Sequence, residues 1–447
     1  MGIFDIILFP IYVYIFYLIF AFRRRKIEDP LLRQYQKNGF WVKIFCTIAI
    51  TIFNIYLSPG DSITLYYPEG YNIFKLILRD AGNIRWLFLP GSDFDLNLVA
   101  DPNTAGYFSG EANFFVIRLV AIFSFFSFGS YFVIQLFFSM IAFTGIWKLF
   151  KFFYELYPHL HKQLAIAVLY LPTLAFWSSG VLKDPICIGM LGWMTYAIYA
   201  GYHKKTDVLK NTIVTFLSAL ILSVVKPYIL FAYLPFFILY FVLLNIHIIR
   251  NPFVKLLSIL VITIFSIGGF ILMSDRLQKE MGNFAIEKLS ESIKVQQNNF
   301  INMADQAESS FSLGVEYTGS AGSLLRMAPA AINATLFRPY IWESKKISTL
   351  LSSLESLTLM ILTLYVLFRA GPFIFFKTII KDPMVMFCFF YSVLFALFIG
   401  ATTLNFGTLV RYKIPCMPFF VIAILLINER KNIIKNSLSK KEAVVSN

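Results

Sequence analysis

Side chains that could carry chemistry stand at the edges of long apolar segments. Asp61 follows the apolar run 41–58, and the neighbours Lys183 and Asp184 lie between two further apolar runs. Ionisable groups in or next to such segments are costly and are functional candidates for that reason. A carboxylate can act as a general base, while nearby cations hold a phosphate and stabilise charge on a departing oxygen. This combination suits transfer from an anionic lipid carrier to a neutral hydroxyl group.

The candidate residues fall near crossing ends that the charge pattern assigns to one side of the membrane. Asp61 and Asp184 are the candidate catalytic carboxylates, and Asp61 is expected to take the proton from the attacking hydroxyl. We expect all the candidates to line a single cavity that opens to the outside. The residues expected to bind lipid phosphate or substrate are Lys183, Lys226, Tyr228, Arg338, Glu343 and Arg411.

Three of these residues also have simpler structural interpretations. Asp184 stands directly before Pro185, which is typical of a helix N-cap followed by proline. Asp61 fits a turn at the exit of a helix, and Lys226 can extend its ammonium group to the outer interface. Each interpretation stays open beside the chemical one.

The candidates later in the chain also have structural or functional interpretations. Arg338 and Glu343, with Trp342 beside them, are typical of residues that anchor a helix at the lipid headgroups. Arg411 lies just before a long apolar stretch, where an arginine needs a phosphate, a carboxylate or water as its partner. That requirement favours a functional interpretation of Arg411.

The composition indicates a chain embedded in a membrane. The protein has 447 residues, of which 58% are hydrophobic and 14% are charged, with a mean hydropathy of +0.70. Repeated apolar runs of about 20 residues, enough to cross a hydrocarbon layer of roughly 30 Å, predict an all-α polytopic membrane protein. This excludes a soluble enzyme, a disulfide scaffold and a disordered tail.

The net charge of +14 is explained by topology. Basic residues collect in short connections between apolar runs, so the excess does not indicate a nucleic-acid partner. The four cysteines lie in or at the edge of apolar segments and are interpreted as small hydrophobic residues. The four histidines are scattered along the chain, so a histidine metal site is not expected.

About eleven crossings are predicted, together with a further apolar run, 114–128, that is half inserted or lies along the surface. If 114–128 does not cross, every basic short loop falls on the inner side, as the positive-inside rule favours. The N-terminus then lies outside and the C-terminus in the cytoplasm of a multi-pass protein of the plasma (inner) membrane. The predicted crossings are 3–22, 41–58, 131–150, 163–178, 185–202, 211–226, 228–247, 254–273, 349–368, 383–400 and 410–428.

Two long outer segments separate the groups of crossings, and both contain amphipathic patterns typical of interfacial helices. In the first, this pattern runs over 71–89; in the second, helices are expected from Leu277 and over 326–343. The expected organisation is N-terminal transmembrane helices in 1–58, a first outer loop in 59–130, a transmembrane core in 131–273, a second outer loop or cap in 274–348, C-terminal transmembrane helices in 349–428 and a cytoplasmic basic tail in 429–447.

The chain resembles the GT-C superfamily of integral membrane glycosyltransferases. Three short features carry the resemblance over most of the membrane core. They are Asp61 after an early helix and before an outer loop with interfacial helices, the stretch from Pro172 to Asp184 with its proline-bearing short helix and outer acidic residue, and Arg411 with Pro415 and Pro418 at the opening of the final helix.

The resemblance implies a catalytic base at Asp61, a polyprenyl-phosphate-linked sugar as donor and transfer on the outer face, in cell-envelope glycan or polysaccharide synthesis. The implied acceptor is a glycan, a lipid or a protein, and the need for a divalent metal as a cofactor is left open. The extra helix 3–22 and the lack of a paired Asp-Glu in the first outer loop depart from the family pattern. A transporter or flippase of lipid-linked saccharides, or a non-catalytic scaffold of an envelope assembly, stay open as alternatives.

Overall fold

The computed structural model describes residues 3–108, 110–245, 311–314, 321–344 and 347–445. Within these ranges the chain forms helices joined by turns, with no β-strand. It divides into two compact units, Met1–Pro227 and Tyr228–Asn447. The predicted crossing 254–273 and the helix expected from Leu277 lie outside the described residues.

In the first unit, long apolar helices alternate with short ones. Turns of π-helix continue α2 through Phe53–Leu57 and α8 through Tyr199–His203. The α-helices are α1 (Ile3–Arg25), α2 (Pro30–Ile52), α3 (Tyr67–Arg79), α4 (Glu111–Ser127), α5 (Tyr131–Leu156), α6 (His161–Val168), α7 (Pro172–Trp177), α8 (Lys183–Ile198) and α9 (Val208–Val225).

The second unit has an aromatic core. The ring of Tyr233 lies 5.4 Å from that of Phe387, 5.2 Å from that of Tyr391 and 5.7 Å from that of Phe419. All three pairs are edge-to-face, an arrangement that adds to the free energy of burial. Its described α-helices are α10 (Pro227–Asn245), α11 (Ala321–Phe337), α12 (Ile347–Ala370), α13 (Pro372–Lys381), α14 (Pro383–Thr402), α15 (Phe406–Tyr412) and α16 (Met417–Val445).

The chain is a polytopic helical membrane protein, as predicted. Among the described residues, 7 helices are long and apolar enough to cross a membrane, or up to 8 if α15 and α16, bent by 64°, form one span. The count of eleven crossings stays a prediction. The candidate spans are Asp5–Arg25, Pro30–Leu57, Tyr131–Leu156, Val208–Val225, Pro227–Asn245, Thr349–Ala370 and Pro383–Thr402.

The predicted crossing 163–178 is broken in the structure, where α6 and α7 take its place. The break precedes Pro172, which lacks the N–H group that a continuing helix needs. Leu171 accordingly adopts an extended conformation, with φ −60° and ψ 118°, as a residue before proline prefers. Two neighbouring predictions match helices that are not among the candidate spans. The prediction 185–202 corresponds to α8 with its π-helical continuation, and 114–128 corresponds to α4, with 17 residues.

The start of α2 also differs from the prediction, because the helix extends beyond its apolar part. It begins at Pro30, and the preceding Asp29 caps it by accepting a hydrogen bond from the Leu31 N–H at 2.8 Å. The Tyr154 hydroxyl donates to the same carboxylate at 2.5 Å and lowers the pKa of Asp29. The added turns carry the exposed Lys37, which an apolar run does not include.

The segment 59–130, which is predicted to be the first outer loop, is held together by a buried carboxylate of α3. Glu69 accepts hydrogen bonds from the N–H groups of Ala100 and Asp101 at 2.9 and 3.0 Å and from the Thr104 hydroxyl at 2.5 Å. The amphipathic pattern predicted over 71–89 corresponds to the second half of α3 and the 3-10 turn that follows it. The loop is therefore an ordered part of the first unit.

Helices α5 and α8 pack closely at glycines. A Cβ atom on Gly145 would lie 1.9 Å from the carbonyl oxygen of Gly189, and one on Gly192 would lie 2.0 Å from the carbonyl oxygen of Gly145. Small residues let helix backbones approach each other in a membrane, where apolar burial gives little driving force. This contact fixes α8, whose first two residues are Lys183 and Asp184.

Candidate functional site

The α7–α8 turn, residues 178–182, is a non-helical segment buried within the first unit. Irregular backbone at membrane depth needs polar partners inside the protein, and Lys43 of α2 supplies them. Its Nζ donates to the Ser178 carbonyl at 2.7 Å, to the hydroxyls of Ser178 and Ser179 at 2.8 and 2.7 Å, and to the Ala175 carbonyl at 3.3 Å. All four of these acceptors are uncharged.

A second group of hydrogen bonds links the α7–α8 turn to α5 and to Ser62, near the start of the segment 59–130. Gln135 accepts from the Val181 N–H at 2.5 Å, and its amide nitrogen donates to the Ser62 hydroxyl at 3.4 Å. The Ser62 hydroxyl lies 2.8 Å from that of Tyr131, which accepts from Asn54 at 3.4 Å. A buried network of this kind fixes the positions of its members.

Asp184 and Lys226 form a buried ion pair. The Lys226 Nζ lies 2.5 Å from the Asp184 Oδ1, and the two residues are 5% and 2% exposed. Asp184 is in the first turn of α8, whose N-cap is Leu182. The interpretation of Asp184 as an N-cap is therefore wrong, because the helix begins before it and its side chain binds Lys226, the residue that ends α9.

Asp61 and Lys183 lie next to the hydrogen-bonded network of Gln135 and Ser62, and both are partly exposed. Asp61 directly precedes Ser62 of the network, and Lys183 directly follows the α7–α8 turn. Gln135 bonds to both places, at the Ser62 hydroxyl and at the turn itself. Two of the predicted site residues therefore flank one hydrogen-bonded network within the first unit.

In the second unit, Arg338 and Glu343 form a bidentate ion pair. The Arg338 Nε donates to both carboxylate oxygens, at 3.0 and 3.1 Å, and its Nη2 also donates to Oε1. Glu343 accepts from the Tyr340 N–H at 2.8 Å, and Arg338 donates to the Ser312 carbonyl at 3.1 Å. The two paired side chains are 15% and 19% exposed. Bidentate pairs of this kind are strong and specific in geometry.

Lys413 lies directly beside the Arg338–Glu343 pair and is fully buried. Its Nζ donates to the Ser356 hydroxyl at 2.9 Å and to the Arg338 carbonyl at 3.3 Å. The buried carboxylate of Glu355 adds a favourable electrostatic interaction. Lys413 thereby ties the loop that carries Arg338 to α12.

Tyr228 and Arg411 are half-buried in the second unit. The Tyr228 ring lies 5.9 Å from that of Phe395, and the Arg411 guanidinium lies 5.3 Å from the ring of its neighbour Tyr412. The predicted cavity shared by all the candidates includes residues of both units and stays a prediction.

Two buried lysines, Lys43 and Lys413, are not among the predicted site residues, although Lys413 lies two residues after the predicted Arg411. An ionisable residue at membrane depth is a candidate by default, and both lysines border apolar runs. Lys43 stands near the start of the predicted crossing 41–58, where a lysine also fits the membrane interface. Its position in the sequence therefore did not distinguish it from an ordinary flanking lysine.

No group of three or more His, Cys, Asp or Glu side chains that could hold a metal ion occurs among the described residues. Comparison of the chain with protein-family models, curated proteins and solved structures finds no match. Function must therefore be inferred from the residues of the site and their contacts.

Proposed function

We propose that the protein is an outer-leaflet glycosyltransferase that uses a polyprenyl-phosphate-linked sugar in cell-envelope glycan or polysaccharide synthesis. The supporting observation is that Asp61 and Lys183 flank one buried network, through Ser62 and Gln135. Both are partly exposed, so a substrate can reach them. A carboxylate and an ammonium group are the two charges that this reaction needs.

In the proposed reaction, the hydroxyl oxygen of the acceptor attacks the anomeric carbon of the donor sugar, and Asp61 accepts the proton of that hydroxyl. The bond between that carbon and the phosphate oxygen breaks, and the lipid phosphate leaves with the electron pair. Lys183 stabilises the charge on the departing phosphate. The reaction needs no nucleotide pocket.

The Asp184–Lys226 pair takes a positioning role in this proposal. Two opposite charges that are buried together satisfy each other and do not approach a substrate. The pair joins the start of α8 to the end of α9, so it holds Lys183, the first residue of α8, in place. We therefore favour positioning over the catalytic and phosphate-binding roles that the sequence predicts for these residues.

The proposal includes a GT-C-like arrangement of eleven crossings, with α4 half inserted, the N-terminus outside and the C-terminus in the cytoplasm. It is supported by the basic residues of the short loops, which this topology collects on the inner side. Tyr228, Arg338, Glu343 and Arg411 are proposed to bind donor or acceptor groups in the second unit.

The test of the proposal is Asp61→Asn, which keeps the size of the side chain and removes the base. We expect glycan product in cells to fall by about 100-fold to 10,000-fold, with expression and melting temperature unchanged because the residue is partly exposed. Asp93→Asn is the control, since Asp93 is an exposed carboxylate in the same outer loop, and it should keep full product. Full complementation by Asp61→Asn would overturn the assignment.

A transporter or flippase of lipid-linked saccharides is the second candidate, favoured by a polar stripe on α2. Lys43, Thr47, Thr51 and Asn54 are all buried, and their spacing places them on one helix face. Polar groups along the depth of a membrane are typical of a transport path. In vesicles, movement of a labelled lipid-linked saccharide that survives Asp61→Asn and is lost in Lys43→Met would favour transport over transfer.

A further inference from the structure

The cytoplasmic end predicted for α5 carries a second group of charges, separate from the proposed site. Lys148 lies in the last turns of α5, with its Nζ 4.3 Å from the ring centroid of Tyr196 and 5.1 Å from that of Trp193. Lys151 lies 5.1 Å from the same Tyr196 ring. Together with nearby charges these residues form the Lys148 cluster, which comprises Arg23, Lys148, Lys151, Lys204, Lys210 and the carboxylate Glu155.

The cluster contains more positive than negative charge. In the described part of the chain, the charged groups that act on Lys148 are the cations Lys151, Lys210 and Arg23 and the carboxylate Glu155. That carboxylate is already shared, since it lies 2.8 Å from the Lys204 Nζ and 3.5 Å from the Lys151 Nζ. Among the described residues that make up the Lys148 cluster, one carboxylate therefore stands against five cations.

Glu155 is also held in place by the Tyr196 hydroxyl, which donates to it at 3.1 Å. Its hydrogen bond with Lys204 raises the pKa of that lysine, so Lys204 stays charged at neutral pH. Lys148 and Lys151 are half-buried, and cations that are partly removed from water repel one another more strongly than exposed cations do. A bound anion would remove that repulsion.

The location of the cluster indicates which anion. Lys148 and Lys151 belong to the candidate span Tyr131–Leu156, and Lys210 belongs to the first turn of the span Val208–Val225. The ends of spans lie at headgroup depth, where Trp and Tyr rings such as those of Trp193 and Tyr196 are enriched. Basic pockets between transmembrane helices on the cytoplasmic side bind anionic lipid headgroups.

We propose that the Lys148 cluster is a binding site for the phosphate group of an anionic phospholipid of the surrounding bilayer. The lipid phosphate replaces the missing negative charge, while its acyl chains lie along the apolar surfaces of the helices. The aromatic rings hold the lysine side chains at headgroup level through cation–π contacts. The site is independent of the proposed transfer reaction and uses none of its residues.

The test uses the purified full chain in phosphatidylcholine nanodiscs to which phosphatidylglycerol is added. The melting temperature should rise with the phosphatidylglycerol fraction, and native mass spectrometry should find this lipid retained on the protein. Lys148→Gln should weaken the apparent affinity about fivefold, as expected for one lysine near an anionic lipid, while Lys148→Arg should keep it. Lys162→Gln, at an exposed lysine outside the cluster, is the matched control and should bind as the wild type does.

Equal affinity in Lys148→Gln and the wild type would overturn the proposal. An equal loss in Lys162→Gln would also overturn it, because it would show diffuse attraction to surface charge. The same rise in melting temperature with inorganic phosphate would identify a soluble anion as the ligand and exclude the lipid. If Lys148→Gln does not fold, Lys151→Gln carries the same test, since that side chain is 26% exposed.

Discussion

The two units hold their acid–base pairs in different environments. Asp184 and Lys226 are almost completely buried, and the Lys226 Nζ lies 2.5 Å from the Asp184 Oδ1. Arg338 and Glu343 are joined by several hydrogen bonds, yet their side chains are 15% and 19% exposed. The first pair is almost fully withdrawn from water, whereas the second keeps partial access to solvent.

This difference separates positioning from binding. A buried pair repays the cost of removing two charges from water only while both partners are present, so Asp184 and Lys226 are expected to act together as one structural link. A partly exposed pair loses less when one partner changes. Under the proposed function, Arg338 exchanges part of its contact with Glu343 for a ligand phosphate, whereas Lys226 stays paired with Asp184 as a positioning link.

The largest predicted effect concerns the buried pair. Asp184→Asn and Lys226→Met should each destabilise the protein by about 3–5 kcal/mol, because each leaves one buried charge without its partner. The double variant Asp184→Leu with Lys226→Met should recover most of the melting temperature measured in detergent. If the single variants melted at the same temperature as the wild type, the Asp184–Lys226 pair would not be a structural link, and the proposed difference between the two ion pairs would be wrong.

A smaller effect is expected at Lys43, which holds the α7–α8 turn through uncharged hydrogen-bond acceptors. Lys43→Met should destabilise the protein by about 1–3 kcal/mol, since the Ser178 carbonyl loses its donor. Lys37→Met, at an exposed position on the same helix, should change the stability by less than about 0.5 kcal/mol. The melting temperatures of the two variants check the difference, and equal values would contradict the role of Lys43.

The smallest effect is expected at the Arg338–Glu343 pair. The dependence of this effect on salt concentration provides a further comparison of the two pairs. Glu343→Gln should destabilise the protein by about 1 kcal/mol, because the pair keeps contact with solvent. Salt screens exposed charges more than buried ones, so the loss should shrink as salt is added. The effect of Asp184→Asn should stay constant over the same salt series. Equal salt dependence in the two variants would show that the pairs do not differ in exposure.

The long helices of the fold follow from composition, because about 20 apolar residues have few alternatives to a membrane-spanning helix. The predictions at 131–150, 211–226 and 383–400 correspond to the spans Tyr131–Leu156, Val208–Val225 and Pro383–Thr402. Helix ends are less predictable. A cap such as Asp29 extends a helix past its apolar part, and Pro172 breaks one inside an apolar run.

The candidate site is predictable in its residue types and not in its pairings. Asp184 and Lys226 are both among the predicted residues, but their contact joins positions 42 residues apart. The contact of Lys43 with Ser178 spans 135 residues. Such contacts depend on how α2, α7, α8 and α9 pack, and hydropathy and local propensity carry no information about that packing.

The proposed reaction requires Asp61 and Lys183 to face the same outer water layer, on the side of the membrane opposite Lys148. The four native cysteines are buried and free, so a variant without them can carry single cysteines at the three positions. With a membrane-impermeant thiol reagent on intact cells, Asp61→Cys and Lys183→Cys should be labelled, and Lys148→Cys should be labelled only after the membrane is opened. Labelling of Asp61→Cys and Lys183→Cys from opposite sides, or of Lys148→Cys from the outside, would contradict the account.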